Sequence, residues 1–301
     1  MDAIVIDKVS KAYGQVKALE SVSFTVRLGE LFGLIGPDGA GKTTLFKILV
    51  TLLLPDAGKA IVTGHDVVQD FRVLRQTVGY MPGRFSLYPD LSVQENLQFF
   101  ATVFGTSIEA NYELVRDIYE QLAPFKNRRA GALSGGMKQK LALCCALIHK
   151  PDVLFLDEPT TGVDAVSRKE FWDMLSHLKE QGLTILVSTP YMDEASLCDR
   201  VAFIQTGRIL GIDTPTGITS RFTKPLFAVK AVNTYRLIQD LRAAPFTETY
   251  YAFGEYVHLT AKHEMDELQV VDFLRQENHE GVEVERIEPG IEDTFMALMK
   301  Q

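Results

Sequence analysis

The sequence is poor in several things, and each shortage removes a class of protein. Of 301 residues only three are cysteine, Cys144, Cys145 and Cys198, an odd count with two of them adjacent. That count cannot make a disulfide framework, and a reducing compartment is the expectation. No apolar run approaches the roughly 18 residues of a membrane-spanning helix; the best, Ile48 to Leu54, is far too short. The opening MDAIVIDKVS lacks a basic lead followed by an apolar core, so no signal peptide is read there. Positive charge is also short. The chain has 31 basic and 39 acidic side chains, a net −8, with 22 and 25 of them in the first 216 residues. An acidic balance weighs against an electrostatic nucleic-acid binder, and no nucleic-acid partner is expected. Repeats, heptads and low-complexity tracts are missing too. At 46% apolar and 23% charged residues, the remainder is ordinary for a globular chain with one large core or two smaller ones.

The pattern along the chain is of apolar strands alternating with helices. Ala3 to Val9, Val22 to Leu28 and Leu31 to Ile35 read as strands separated by turns at Gly14 and at Gly29-Glu30. A helix follows from Lys42 to Leu54, stopped by Pro55, Asp56 and Gly58. Strands are expected around Lys59 to Gly64 and Thr77 to Met81, and the period then becomes helical from Val93 to Lys150. Val153 to Leu156 reads as a buried parallel strand, and helices and strands alternate from Ser167 to Ile212. This order predicts a mostly parallel sheet covered on both faces, with an inserted helical subdomain at about 84–150. Thr214-Pro215-Thr216-Gly217 marks a boundary, placing one domain at 1–216 and an accessory domain at 217–301. The accessory segment reads β-α-β-β-α-β, the ferredoxin-like order, with a final helix from Ile291 to Met299.

One loop carries explicit chemistry. Gly36-Pro37-Asp38-Gly39-Ala40-Gly41-Lys42-Thr43-Thr44 fits G-x-x-x-x-G-K-[ST] between a strand and a helix. The glycines let the backbone curl so that successive N–H groups point inward at phosphate oxygens. The helix starting near Lys42 adds the positive end of its dipole. Lys42 would neutralise the β and γ phosphates of a bound nucleotide, and Thr43 would offer a hydroxyl to Mg²⁺.

Four further segments carry a resemblance. Leu133-Ser134-Gly135-Gly136-Met137-Lys138-Gln139 resembles the signature motif of ABC transporter ATPases. Val153-Leu154-Phe155-Leu156-Asp157-Glu158-Pro159 resembles their Walker B strand, and Thr161-Gly162-Val163-Asp164 their D-loop. Tyr13, in KAYGQVKAL, resembles the aromatic that stacks on adenine. The match runs in the family's order over about residues 1–216 and implies a P-loop NTPase (ABC ATPase) cassette of α/β class, followed by a small α+β domain. It implies ATP and Mg²⁺ as cofactors, with Asp157 at the metal alongside Thr43 and Glu158 polarising the attacking water. It also implies that Ser134, Gly135 and Gly136 face the γ-phosphate held by a second subunit, with Asp164 in the D-loop, so that the chain acts as a homodimer or beside a second ABC ATPase. The tail, ending Glu288-Pro289-Gly290-Ile291-Glu292-Asp293-Thr294-Phe295-Met296-Ala297-Leu298, looks like that of bacterial multidrug and antibiotic exporter ATPases. These work with separate membrane permeases from the cytoplasmic, inner face of the membrane.

Two positions depart from the resembled pattern. After VGYMP the family usually has glutamine, and this chain has Gly83; after ILVST it has the switch histidine, and this chain has Pro190. Proline brings neither a side-chain donor nor a backbone N–H. Removing one preorganised transition-state donor costs about 10²–10³ in rate, so hydrolysis at this chain's own site is expected to be slow. Phe85, Leu87 and Tyr88, just after Gly83, read either as exposed groups suited to a docking groove, the favoured reading, or as core. The rival readings are a non-hydrolytic regulatory partner in an asymmetric pair and a soluble ABC ATPase unconnected with transport.

Overall fold

The structure is a computed structural model that describes residues 1–84 and 86–298; Phe85, and Met299 at the end of the expected last helix, lie outside the described residues. The chain divides into two compact units, Met1–Thr214 and Pro215–Gln301.

In the first unit two long strands, β1 (Asp2–Tyr13) and β2 (Val16–Arg27), form an antiparallel hairpin turning at Gly14. Both run further than the apolar pattern indicates. Lys8 and Ser21 take left-handed backbone conformations that shift the register, and such bulges break the alternation that would reveal a strand. β3 (Leu31–Ile35) is buried throughout and leads through the glycine loop into α1 (Lys42–Leu49). β4 (Ala57–Val62) and β5 (His65–Asp66) complete a four-stranded sheet in the order β2-β1-β4-β5. A short α2 (Phe71–Thr77) precedes β6 (Val78–Met81).

The helical stretch is built from α3 (Val93–Val103), α4 (Tyr112–Leu122) and α5 (Gly135–Leu147). Ser92 and Glu95 make a reciprocal capping box at the start of α3. Then come β7 (Val153–Asp157), α6 (Ala165–Glu180), β8 (Thr184–Thr189), β9 (Arg200–Gln205) and β10 (Arg208–Asp213). The second sheet has the order β10-β9-β3-β8-β7-β6, parallel except for the β9–β10 pair. Consequently β3, β8 and β7 end side by side, and ligands of open α/β sheets bind at that carboxyl edge. A core around Phe32, Phe46, Phe155 and Ile204 holds the arrangement, with Phe24 stacked on Phe32 at 5.3 Å.

The second unit opens with α7 (Pro215–Thr219), which packs against α10 (Ile291–Leu298). Between them run β11 (Leu226–Lys230), α8 (Thr234–Ala243), β12 (Thr247–Phe253), β13 (Tyr256–Ala261), α9 (Glu267–Gln276) and β14 (Glu283–Arg286). They form one antiparallel sheet, β12-β13-β11-β14. The β12–β13 hairpin turns on Gly254 at φ +59°, a value that favours glycine. In the first turn of α10, buried Asp293 accepts hydrogen bonds from the Tyr251 hydroxyl and from the Gly290 N–H (2.7 Å), and His258 Nδ1 lies 2.7 Å away.

Candidate active site

The glycine loop has the shape its spacing requires. Gly39 and Gly41 take φ of +77° and +106°. A Cβ at Gly41 would lie 2.4 Å from the Ala18 carbonyl oxygen, and one at Gly36 would lie 2.1 Å from that of Ile204. Only a bare backbone therefore fits between β2, β9 and the loop. The Ala40 N–H donates to Pro37, the Gly207 N–H to Ala40, and the Gly36 N–H to Thr189. Lys42, 2% exposed at its side chain, donates to the Gly36 and Pro37 carbonyls at 2.7 and 3.0 Å and lies 3.0 Å from Glu158 Oε1. Its ammonium thus sits between the loop and the end of β7. Asp38, exposed, and Thr43 and Thr44 complete the loop and the first turn of α1.

Asp157 ends β7 and is buried. Ser188, its partner in the register of β8, donates to its Oδ1 at 2.7 Å. Burial holds this carboxyl above the usual range, against the hydrogen bond from Ser188 and the pull of the Thr43 hydroxyl; the charge of Glu158 pushes the same way and Lys42 opposes it. Glu158 follows in a left-handed conformation, φ +51°, which strains a non-glycine residue and persists only where its surroundings enforce it. Here the Glu158 N–H donates to both the carbonyl and the hydroxyl of Ser188 at 3.0 Å, and its carbonyl accepts from the Thr161 N–H. The turn swings the carboxylate of Glu158 toward Lys42 while Asp157 stays inside.

Ser134 caps α5, accepting from the Met137 N–H at 3.4 Å, so that Gly135 and Gly136 form its first turn. A Cβ at Gly136 would meet the Ser167 side chain at 2.6 Å, and one at Gly135 would stand 3.8 Å from the Gly162 carbonyl. The segment Leu133–Gln139 therefore lies against the Thr161–Asp164 loop. Asp164 caps α6 through bonds from the Val166 and Ser167 N–H groups, and the Ser167 bond leads in lowering its pKa. Tyr13 stands half-exposed where the β1–β2 hairpin turns, one hairpin end away from the Ala18–Leu19 stretch that touches Gly41.

The two unusual positions are both at this edge. A Cβ at Gly83 would come 2.8 Å from the Asp157 carbonyl oxygen and 3.7 Å from Glu158 Cβ, so the loop after β6 is closed directly onto the backbone of the Asp157–Glu158 pair. Pro190 is half-buried after β8. Its neighbour Tyr191 is held elsewhere: its N–H donates to Thr189 Oγ1 at 3.0 Å, and the Arg168 guanidinium lies 4.3 Å over its ring.

Residues 19–161 match the family described as ABC transporter. Over 216 residues the chain is 42% identical to the probable multidrug ABC transporter ATP-binding protein YbhF of Escherichia coli (strain K12), a span of 71% of this chain but 37% of that protein. It is 35% identical over 300 residues to the Nod factor export ATP-binding protein I of Rhizobium sp. (strain N33), covering 98% of this chain and 96% of that one. The chain belongs to the ABC transporter ATP-binding proteins. A solved ATP-binding subunit of an ABC transporter shares the fold with a TM-score of 0.65 and 30% identity, covering 73% of this chain and 93% of that chain. The chain thus spans little more than a third of YbhF and nearly all of the Rhizobium protein. Among the described residues no helix is long and apolar enough to cross a membrane.

Beside the site, the ABC cassette carries an apolar groove between the sheet and the inserted helices. It is a cavity of about 200 Å³ whose walls include Leu52, Arg75, Tyr80, Leu87, Phe100 and His149. Of the two readings the core one holds for Leu87, which is buried in the wall, whereas Tyr88 is exposed and meets Phe99 edge-on at 4.8 Å. The reason is Asn96. Fully buried, it accepts from the Tyr88 N–H at 3.0 Å and donates to the Tyr88 carbonyl at 3.1 Å, which pins the loop and turns Leu87 inward. Sequence reading also passed over Ser188, Thr160 and Glu194. The polar pair Ser188-Thr189 closing the apolar run TILV was the available signal for Ser188.

Proposed function

We propose that this chain is the ATP-binding subunit of an exporter, coupling ATP binding and hydrolysis to transport through separate membrane permeases, with a slow site of its own. In this reading Gly36 to Thr44 hold the phosphates through backbone N–H groups and Lys42, and Tyr13 stacks on the base. Thr43 and buried Asp157 would hold Mg²⁺, which would supply charge neutralisation at the phosphates; a buried carboxylate at the strand end beside the loop hydroxyl suits that ion. Glu158 orients and deprotonates water. Ser134, Gly135 and Gly136 present a helix N-terminus to the nucleotide of a second ABC ATPase, which makes the working unit a dimer, with Asp164 shaping the loop between the two sites. The groove containing Leu87 receives a cytoplasmic helix of the permease and places the chain at the inner membrane face.

The observation that carries the slow site is the contact of Gly83 with the Asp157 carbonyl together with Pro190, since neither residue brings a side-chain donor to the phosphates. The resulting pair is asymmetric: this chain's signature completes a competent site on its partner. Co-purification from membranes with a permease and a second ATPase tests the assembly, and fast turnover by a purified homodimer of this chain would overturn the slow site and with it the asymmetry. The second reading, a regulatory nucleotide-binding partner, is favoured by the same two residues. Glu158→Gln separates the two: it abolishes a residual ATPase in the first reading and changes nothing in the second.

A further inference from the structure

Behind the phosphate-facing edge lies a buried carboxylate that the reading above does not use. Glu194, 1% exposed, sits on the short 3-10 turn Asp193–Leu197 after Pro190. Its Oε1 accepts from Thr160 Oγ1 at 2.7 Å, and its Oε2 accepts from the hydroxyl of Thr189. Both threonines are essentially inaccessible. Thr160 lies two residues beyond Glu158, at the entry to the D-loop; Thr189 ends β8, its carbonyl accepting from the Gly36 N–H of the phosphate loop at 3.3 Å. Arg168 of α6 approaches Glu194 Oε1 at 3.8 Å. One carboxylate therefore ties the segment after Glu158 to the segment around Pro190.

Burying a carboxylate this completely is costly unless it is hydrogen-bonded and paired. The place where such a tie acts is the left-handed turn at Glu158. Ser188 fixes that turn from the N-terminal side, and the Thr160–Thr161 segment fixes it from the other, through the Thr161 N–H bond to the Glu158 carbonyl and the Thr160 bond to Glu194. A strained turn held at both ends keeps one direction for its side chain. We propose that Glu194 is a positioning residue for hydrolysis, acting through Thr160 to hold the turn that aims Glu158.

The inference rests on the reading of Glu158 as the group that activates water, and its test keeps the two apart. In the full chain, single-turnover ATP hydrolysis and nucleotide binding are measured for Thr160→Val, Thr160→Ser, Glu194→Gln and Glu158→Gln. Thr160→Val, which keeps shape and loses the hydroxyl, is expected to slow the chemical step by about 10–100-fold, the scale of a misaimed catalytic group, with nucleotide affinity nearly unchanged and a melting temperature lowered by several degrees, because buried Glu194 loses a donor. Thr160→Ser restores the rate, and Glu194→Gln combined with Thr160→Val is no slower than the slower single variant. Unchanged rates in Thr160→Val, no rescue by serine, or losses of affinity and rate in proportion to lost stability would overturn the proposal. If Glu158→Gln leaves turnover intact, the reading of Glu158 fails first. Where turnover is too slow to read, amide exchange decides: Thr160→Val must speed exchange at Thr161 and Val163 and leave the phosphate-loop amides alone, and equal exchange would overturn the tie.

Discussion

Returning glutamine to position 83 is the most informative perturbation of the nucleotide edge. The structure says that the position is occupied by proximity: a Cβ there would stand 2.8 Å from the Asp157 carbonyl oxygen, inside the 3.4 Å at which ordinary contact begins. The loop must withdraw by about 0.6 Å, and overpacking of that kind costs about 1–3 kcal/mol. A glutamine reaching the phosphates could regain at most about 2.7–4 kcal/mol of transition-state stabilisation. The difference leaves anything from no gain to about 3 kcal/mol, or up to about 10²-fold in rate. Gly83→Ala isolates the cost. It should lower the melting temperature by several degrees, about 2–4 °C per kcal/mol for a unit of this size, and give no gain in turnover. Differential scanning calorimetry paired with single-turnover ATPase reads both quantities on Gly83→Ala and Gly83→Gln. If Gly83→Ala melts with the parent chain and Gly83→Gln accelerates hydrolysis by the full 10³ or so, the contact with Asp157 does not shape the site.

Other expectations follow from single contacts. Gly36→Ala, with its Cβ 2.1 Å from the Ile204 carbonyl oxygen, should abolish nucleotide binding in a fluorescent-ATP titration while the second unit keeps its own melting transition; retained affinity would contradict the cradle. Cys144, Cys145 and Cys198 are all buried, and burial pushes each thiol well above its ordinary value. They should resist a thiol reagent at pH 8 until denaturant is added, and fast labelling in the native protein would count against the packing. Asp293→Ala removes the acceptor for Tyr251, the Gly290 N–H and the His258 contact. It should destabilise the second unit by about 1–3 kcal/mol and leave ATP binding unchanged, as followed by urea unfolding.

The legible parts of this molecule are those whose chemistry needs neighbours in sequence. The phosphate loop must be contiguous because successive N–H groups and one lysine converge on one anion, and Asp157-Glu158 must follow an apolar strand. The accessory unit's succession of strands and helices was also readable, because its hairpin turns on Gly254 and Asp266 caps α9. Illegible were the effects that cross the sheet. β8 inserts between β3 and β7, and only that insertion brings Ser188 to Asp157 and Thr189 to Gly36. Glu194 meets Thr160 from 34 residues away, a pairing that no local pattern encodes. Whether Leu87 is core or exposed was undecidable for the same reason, since its direction is set by Asn96 rather than by its own neighbours. Glu158's left-handed turn was equally invisible, because nothing in glutamate favours it and its partners on β8 enforce it.

The central claim is that this cassette binds ATP well and hydrolyses it slowly for want of a donor at position 190. Single-turnover hydrolysis of labelled ATP by an excess of the purified chain, compared with Pro190→His, tests it most directly. The account predicts unchanged nucleotide affinity, a slow parent rate, and a gain of about 10²-fold from the histidine. A parent chain already turning over as fast as Pro190→His would contradict it.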